Sequence, residues 1–143
     1  AKDVRDTYTA IFAERGCEAP AVVRIYRSDA NAEHFLAFGT ALDGTEITAE
    51  TLNGAMDGLI FENGAAFNTV TADKDGHIKA DLNDAFAAQV RSLGTSGEYF
   101  LVGGIVNTLL DAFDGTEVML TVNGAPLESG HNIYDYALTR YEE

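Results

Sequence analysis

The stretch from Gly97 to Leu127, GEYFLVGGIVNTLLDAFDGTEVMLTVNGAPL, narrows the folds open to this chain more than any other. Leu101, Val102, Ile105, Val106, Leu109, Ala112 and Phe113 recur at steps of three and four, which at 3.6 residues per turn draws a broad apolar stripe along a helix. Asp114-Gly115 stops that helix, the glycine being free to take the left-handed conformation at the C-cap. Val118, Leu120 and Val122 then alternate with Glu117, Met119 and Thr121 in the two-residue period of a strand, which Asn123-Gly124 ends. A helix handed to a strand by a short turn has to bury its stripe on a sheet. No nucleophile, metal cluster or phosphate loop accompanies the stretch, so it speaks of architecture and not of a reaction.

The other segments can be arranged around that unit. Val4, Tyr8, Ile11 and Phe12 fall at helical spacing, so an amphipathic helix is expected from Asp3 to Arg15, ended by Gly16 and joined to the rest by CEAPA. Residues 1–20 are thus read as a helix and linker ahead of a domain over 21–143. Ala21–Ser28 and His34–Leu42 have the β-branched and aromatic content of strands and form one hairpin. Leu52, Ala55, Met56, Leu59 and Ile60 mark a helix that Thr48 can cap, and the i, i+4 spacing of Gly54 and Gly58 suits close packing on a sheet. Alternation returns on both sides of Asp75-Gly76, a second hairpin, whose dipeptide allows positive φ at both central residues. Asn83 or Asp84 caps a short helix carrying Phe86 and Val90 on one side, and Gly94 to Gly97 break the chain before the long helix. The tail from Glu128 to Glu143 is irregular, with Tyr134, Tyr136 and Tyr141 packing along the domain edge. The order, ββαββαβ after an N-terminal helix, predicts an α+β fold: a mixed or antiparallel sheet of about five strands with helices on one face.

Charge then excludes classes of partner. The chain carries 23 acidic against 9 basic residues, a net charge of −14, and has no Lys or Arg between Arg27 and Lys74 or between Arg91 and Arg140. Nucleic acid and anionic lipid both demand clustered cations, so neither is an expected partner; the charge suits a basic partner surface or dissolved cations, and serves first as an acidic coat that keeps the protein soluble. No apolar run reaches the length that spans a bilayer, so direct membrane insertion is not expected, and AKDVRDTYTA lacks the charged and apolar regions of a signal peptide. The single cysteine, Cys17, cannot close an intramolecular disulfide.

Against this background Val102–Leu110, VGGIVNTLL, followed by Glu117–Leu127, EVMLTVNGAPL, resembles the GerMN domain, the sporulation and spore-germination module of Gram-positive bacteria. Asp81-Leu82-Asn83 with Phe86 is similar to the family's central D-L-S-like motif. Ile105–Leu109 resembles its I-V-N-T-L helix, and Asn123–Pro126 its V-x-G-x-P turn. Gly130-His131 and Ala137–Arg140 resemble a G-H and a P-L-T-R that follow, with Ala137 in place of the proline. The likeness runs over roughly Val22 to Arg140. It implies a non-enzymatic, extracytoplasmic domain of the cell envelope, often anchored as a lipoprotein, and related in fold to ring-building motifs of secretion and sporulation assemblies. The partners it implies are envelope or sporulation proteins.

Possible sites remain to be weighed. Asp73–Ile78 supplies the middle of a calcium loop, but its first ligand position falls on Thr71 and its twelfth on Leu82, so a plain hairpin turn is expected. His34, His77 and His131 lack paired spacing and read as surface histidines, so neither a metal nor another cofactor is expected. No serine sits in a G-x-S-x-G elbow, and Cys17 has only Arg15 and Arg5 as basic neighbours. Asp111 and Asp114 share the C-terminal end of the long helix, where its dipole disfavours carboxylates, and read as a solvated helix end. Asn107 within an apolar helix either bonds a neighbouring loop's backbone or faces outward beside Gly104 and Asp111, the first being favoured. Gly103-Gly104 suits a close backbone approach. Gly103, Gly104, Asn107 and Asp111 are therefore the residues expected to serve a structural or partner-binding motif, with no catalytic residue. The rival reading is a hydrolase or ligand-binding domain whose site is assembled from distant residues. An unpaired strand edge and an acidic coat further predict a lone domain that is monomeric or weakly associated and that meets a basic partner by electrostatic steering.

Overall fold

The computed structural model describes residues 20–141 except Ala32, so the Asp3–Arg15 helix and Cys17 lie outside the described residues. In chain order the elements are β1 (Val22–Ser28), β2 (Phe35–Ala41), α1 (Ala49–Met56), β3 (Phe67–Ala72), β4 (His77–Leu82), α2 (Asp84–Arg91), α3 (Thr95–Phe113), β5 (Glu117–Val122), β6 (Ala125–Glu128) and β7 (Ile133–Tyr134). The fold is α+β. A five-stranded sheet runs β3-β4-β5-β6-β7, mixed because β4 and β5 pair in parallel, while β1 and β2 form a separate antiparallel ribbon. Parallel neighbours need a crossover connection, and α2 and α3 supply it between β4 and β5.

The sheet reaches five strands by another route than the sequence suggests. The first hairpin stands apart, and β6 and β7 come from the turn and tail that lack strand-like alternation. They are four and two residues long, too short to show a period. Asn123 and Gly124 both take positive φ, 49° and 87°, and so close the β5–β6 hairpin in the sense that matches strand twist.

Three local expectations also change. Helix α1 starts at its Thr48 cap as expected but stops at Met56. Gly58 has φ +81°, and the Met56 carbonyl accepts from the amides of Leu59, Ile60 and Phe61, so Leu59 and Ile60 lie in a turn. Gly54 and Gly58 then pack closely against nothing. At the end of α3 it is Asp114, at φ +49°, that takes the left-handed position. Gly115 is needed for space instead: a Cβ there would lie 2.4 Å from Ile78 Cδ1 and 3.0 Å from the Gly76 carbonyl oxygen. Finally α3 begins at Thr95 inside the expected glycine break, because one glycine serves as N-cap and Gly97 fits against Leu93 within the first turn.

Helix α3 is the centre of the molecule. From Val102 to Leu110 every residue is buried, which an amphipathic stripe on one sheet does not require. The sheet covers one side through β4 and β5, the β1–β2 ribbon covers another, and the C-terminal segment at Tyr141 closes a third. A helix apolar nearly all round is what such enclosure needs. Beside it Phe61, Phe67 and Phe86 meet edge to face, with centroids 5.1 and 6.0 Å apart around Phe61.

Candidate interaction surface

The four residues singled out in α3 line up along one seam. Gly104 lets β1 approach so closely that a Cβ would stand 2.6 Å from the Tyr26 carbonyl oxygen. One turn on, Thr108 Oγ1 accepts the Tyr26 amide at 3.0 Å while donating to the Gly104 carbonyl at 2.7 Å. Gly103 faces the rings of Tyr141 and Phe35, where a Cβ would come within 2.6 and 2.8 Å. Asn107 is buried and grips the Tyr141 backbone twice, its amide nitrogen donating to the carbonyl at 3.0 Å and its oxygen accepting from the amide at 2.9 Å. Asp111 is not a solvated helix end. It accepts from Tyr26 Oη at 2.5 Å and pairs with Arg140, whose guanidinium lies 5.9 Å from the Tyr26 ring centroid. Together they fasten the ribbon and the tail onto the helix.

A second polar cluster was not visible in the sequence. Glu98, in the first turn of α3, is 5% exposed and accepts from Tyr134 Oη at 2.5 Å and from His131 Nδ1 at 2.9 Å. Burial by itself raises the Glu98 carboxyl, but hydrogen bonds from Tyr134, His131 and Ser129 outweigh it and hold the group below its ordinary value of 4.5. Tyr134 is driven well above 10 by the same burial and the adjacent carboxylate. Because the folded state depresses the carboxyl, its contribution to stability is present above pH 4.5 and is lost as pH falls through the lower folded value. Denaturant titrations from about pH 6 down to about pH 3 should therefore show a steeper loss for the wild type than for Glu98→Gln. Parallel curves would show that the cluster does not couple to folding. His131 borders a shallow hollow lined by Glu128, Gly130, Asn132 and Ile133, which offer no hydroxyl or thiol, and Ser129 Oγ is taken by the amides of His131 and Asn132.

The Asp73–Ile78 turn uses its acid for the chain itself: Asp73 Oδ1 accepts the amides of Asp75 and His77, both at 2.9 Å. Only Gly76 of the central pair has positive φ, +86°. Its carbonyl accepts the Thr116 amide at 2.8 Å, tying the β3–β4 turn to the start of β5. His77 lies near Asp73 and Glu117, and among the described residues no group of three His, Cys, Asp or Glu is disposed to hold a metal.

Of the large apolar side chains left exposed, Leu36 and Phe38 lie on β2, and Leu59, Tyr99, Ile133 and Tyr136 lie elsewhere. The Asp29 amide donates to the His34 carbonyl at 2.9 Å and the Leu42 amide to the Ala21 carbonyl at 2.7 Å, at the two ends of the ribbon. Hydrogen-bonded pairs alternate in an antiparallel ladder, so with this register they fall at Val23–Thr40, Ile25–Phe38 and Arg27–Leu36. The amides and carbonyls of Phe35, Ala37, Gly39 and Ala41 consequently point away from β1. Leu36 and Phe38 are 43% and 42% exposed, and Leu36 stands opposite Arg27, which itself lines an open cleft of about 310 Å³ together with Tyr26, Leu59, Phe100 and Leu101.

Among the solved structures that share the fold are two of one sporulation protein. The tandem GerMN domains of the sporulation protein GerM from Bacillus subtilis superpose with a TM-score of 0.59 at 18% identity, over 86% of this chain and 45% of that one. The first GerMN domain of the same protein gives 0.56 at 21% identity, over 86% and 96%. This chain thus spans less than half the length of the tandem-domain protein. No curated protein sequence matches it. A family model described as sporulation and spore germination matches residues 21–128, from the start of the ribbon to the end of β6, and the chain therefore belongs to the Germane family.

Proposed function

We propose that this chain is a non-enzymatic protein-interaction or assembly module of the bacterial cell envelope, placed outside the cytoplasm and acting in sporulation or germination. The observation that carries the reading is how its polar side chains are used. Asn107, Asp111 and Glu98 are all engaged in holding α3 to its neighbours, while the outward features include, among the described residues, an uncovered strand edge and apolar side chains. Edges and apolar patches suit association, whereas catalysis needs polar groups converging on open space. The acidic coat favours a partner with a basic surface and disfavours nucleic acid. Among the described residues no helix is long and apolar enough to cross a membrane, so contact with the envelope would run through a protein partner or a tether.

The rival, a hydrolase assembled from distant residues, has its best footing in His131 beside Glu98. The two readings separate in one paired assay. Purified chain is offered a panel of cell-wall fragments and esters, and in parallel is used to isolate binding proteins from envelope extract of sporulating cells. The interaction reading expects no turnover and a complex that weakens with salt. Turnover that Glu98→Gln or His131→Ala abolishes would overturn it.

A further inference from the structure

Resting on the interaction reading, we infer that β2 is the docking edge, and that it takes an extended apolar segment of another protein flanked by lysine or arginine.

Three strand edges are open to consideration among the described residues, and two are blunted. Edge strand β3 carries a register shift between Phe67 and Thr69, and Asn53 bonds both the amide and the carbonyl of Phe67. Edge strand β7 is two residues long. Bulges, short edges and covering side chains are the usual protections against added strands. Among the described residues β2 has none of them. Its seven residues, FLAFGTA, contain no charge and no proline, and four of them turn their backbone groups outward. The other edge of the ribbon is closed: the outward amide of Tyr26 goes to Thr108 and its carbonyl rests on Gly104.

The side chains state which strand would fit. The outward backbone groups belong mostly to Ala37, Gly39 and Ala41, small enough to let another backbone come to hydrogen-bonding distance. Leu36 and Phe38 project from one face and offer apolar neighbours to alternate residues of an added strand. The two ends of β2 are acidic, with Asp29 and Glu33 at one and Asp43 and Glu46 at the other, in a block from residue 28 to 73 that has no Lys or Arg. An apolar strand with a cation at each end meets both conditions. A second copy of this chain does not: antiparallel β2–β2 pairing would set the Asp29–Glu33 end of one copy against the Asp43–Glu46 end of the other, between bodies of net charge −14.

The test uses the full chain and a labelled synthetic peptide of alternating valine and threonine with two lysines at each end. Its counterpart carries glutamates in place of the lysines. Fluorescence anisotropy should show binding of the lysine peptide at low salt and none of the glutamate peptide. Hydrogen exchange at the amides of Ala37, Gly39 and Ala41 should slow at least about tenfold with the peptide present, while the Tyr26 amide, already bonded to Thr108, should not change. Ala37→Pro removes one outward donor and none of the bonds to β1, so it should weaken binding about tenfold or more with the fold kept. Should that variant fail to fold, Phe38→Lys sets a cation in the apolar stripe and should have the same effect on binding. Undiminished binding by a folded Ala37→Pro or Phe38→Lys chain would overturn the inference, as would equal binding of the glutamate peptide or no binding of either. Slow exchange at these amides in the free dilute chain would mean that the edge is already covered within the chain, and protection that grows with chain concentration would mean a second copy; each also overturns it. An envelope partner retained equally by wild type and Ala37→Pro would sink the edge assignment and leave the broader interaction reading standing.

Discussion

Ile105→Asp is expected to leave the chain unfolded, with no cooperative thermal transition at any temperature. Ile105 is completely buried in α3, and Val102, Val106 and Leu109, all at 0% exposure, belong to the same core. A carboxylate there has no cation or donor to meet. The cost of burying it unpaired is several kcal/mol, against a total stability of about 5 to 15 kcal/mol for a domain of this kind. Leu109→Asp, one turn along, should do the same. Circular dichroism melting checks both, and a variant that melted at the wild-type temperature would contradict the placement of α3 at the centre.

Gly104→Ala should be the most damaging single-methyl change. The added carbon would lie 2.6 Å from the carbonyl oxygen of Tyr26, a backbone atom of β1 that cannot rotate away. Relief requires the ribbon to lift, which also breaks the bond from the Tyr26 amide to Thr108. Overpacking of this kind costs typically about 1 to 3 kcal/mol, and the lost hydrogen bond adds to it. The same substitution at Gly54 meets nothing within 4 Å and sits in the exposed part of α1, so there it should stabilise by about 1 kcal/mol through helix propensity. Opposite signs for the two variants in denaturant unfolding are the expected outcome. Equal effects would mean that the helix does not press on β1 as described.

That contrast marks what the sequence could and could not say. Periodicity located the helix at Leu101–Phe113 and the strand after it because burial repeats at fixed steps along a regular element. It placed Thr48 and Asn83 at helix starts because caps depend on adjacent residues only. It could not tell Gly104 from Gly54, since the need for glycine at 104 lies in β1, nearly eighty residues away. Nor could it find Glu98 with His131 and Tyr134, or Asp111 with Arg140, because those pairs form only when the tail returns across α3. Strands β6 and β7 escaped notice for a related reason: their pairing, not their composition, makes them strands. The bare edge of β2 is likewise a property of where the ribbon sits. The hairpin itself was legible, but which of its two edges α3 covers depends on Thr108 meeting Tyr26.

With β2 as the docking edge inferred above, the strand stays open for a different protein and no second copy of this chain closes it. Static light scattering of the full chain over a salt series tests that directly. At low ionic strength the chains carry −14 each and should repel, giving the monomer mass of 15.3 kDa with at most weak association as salt screens the charge. A stable oligomer whose mass is independent of salt would contradict it.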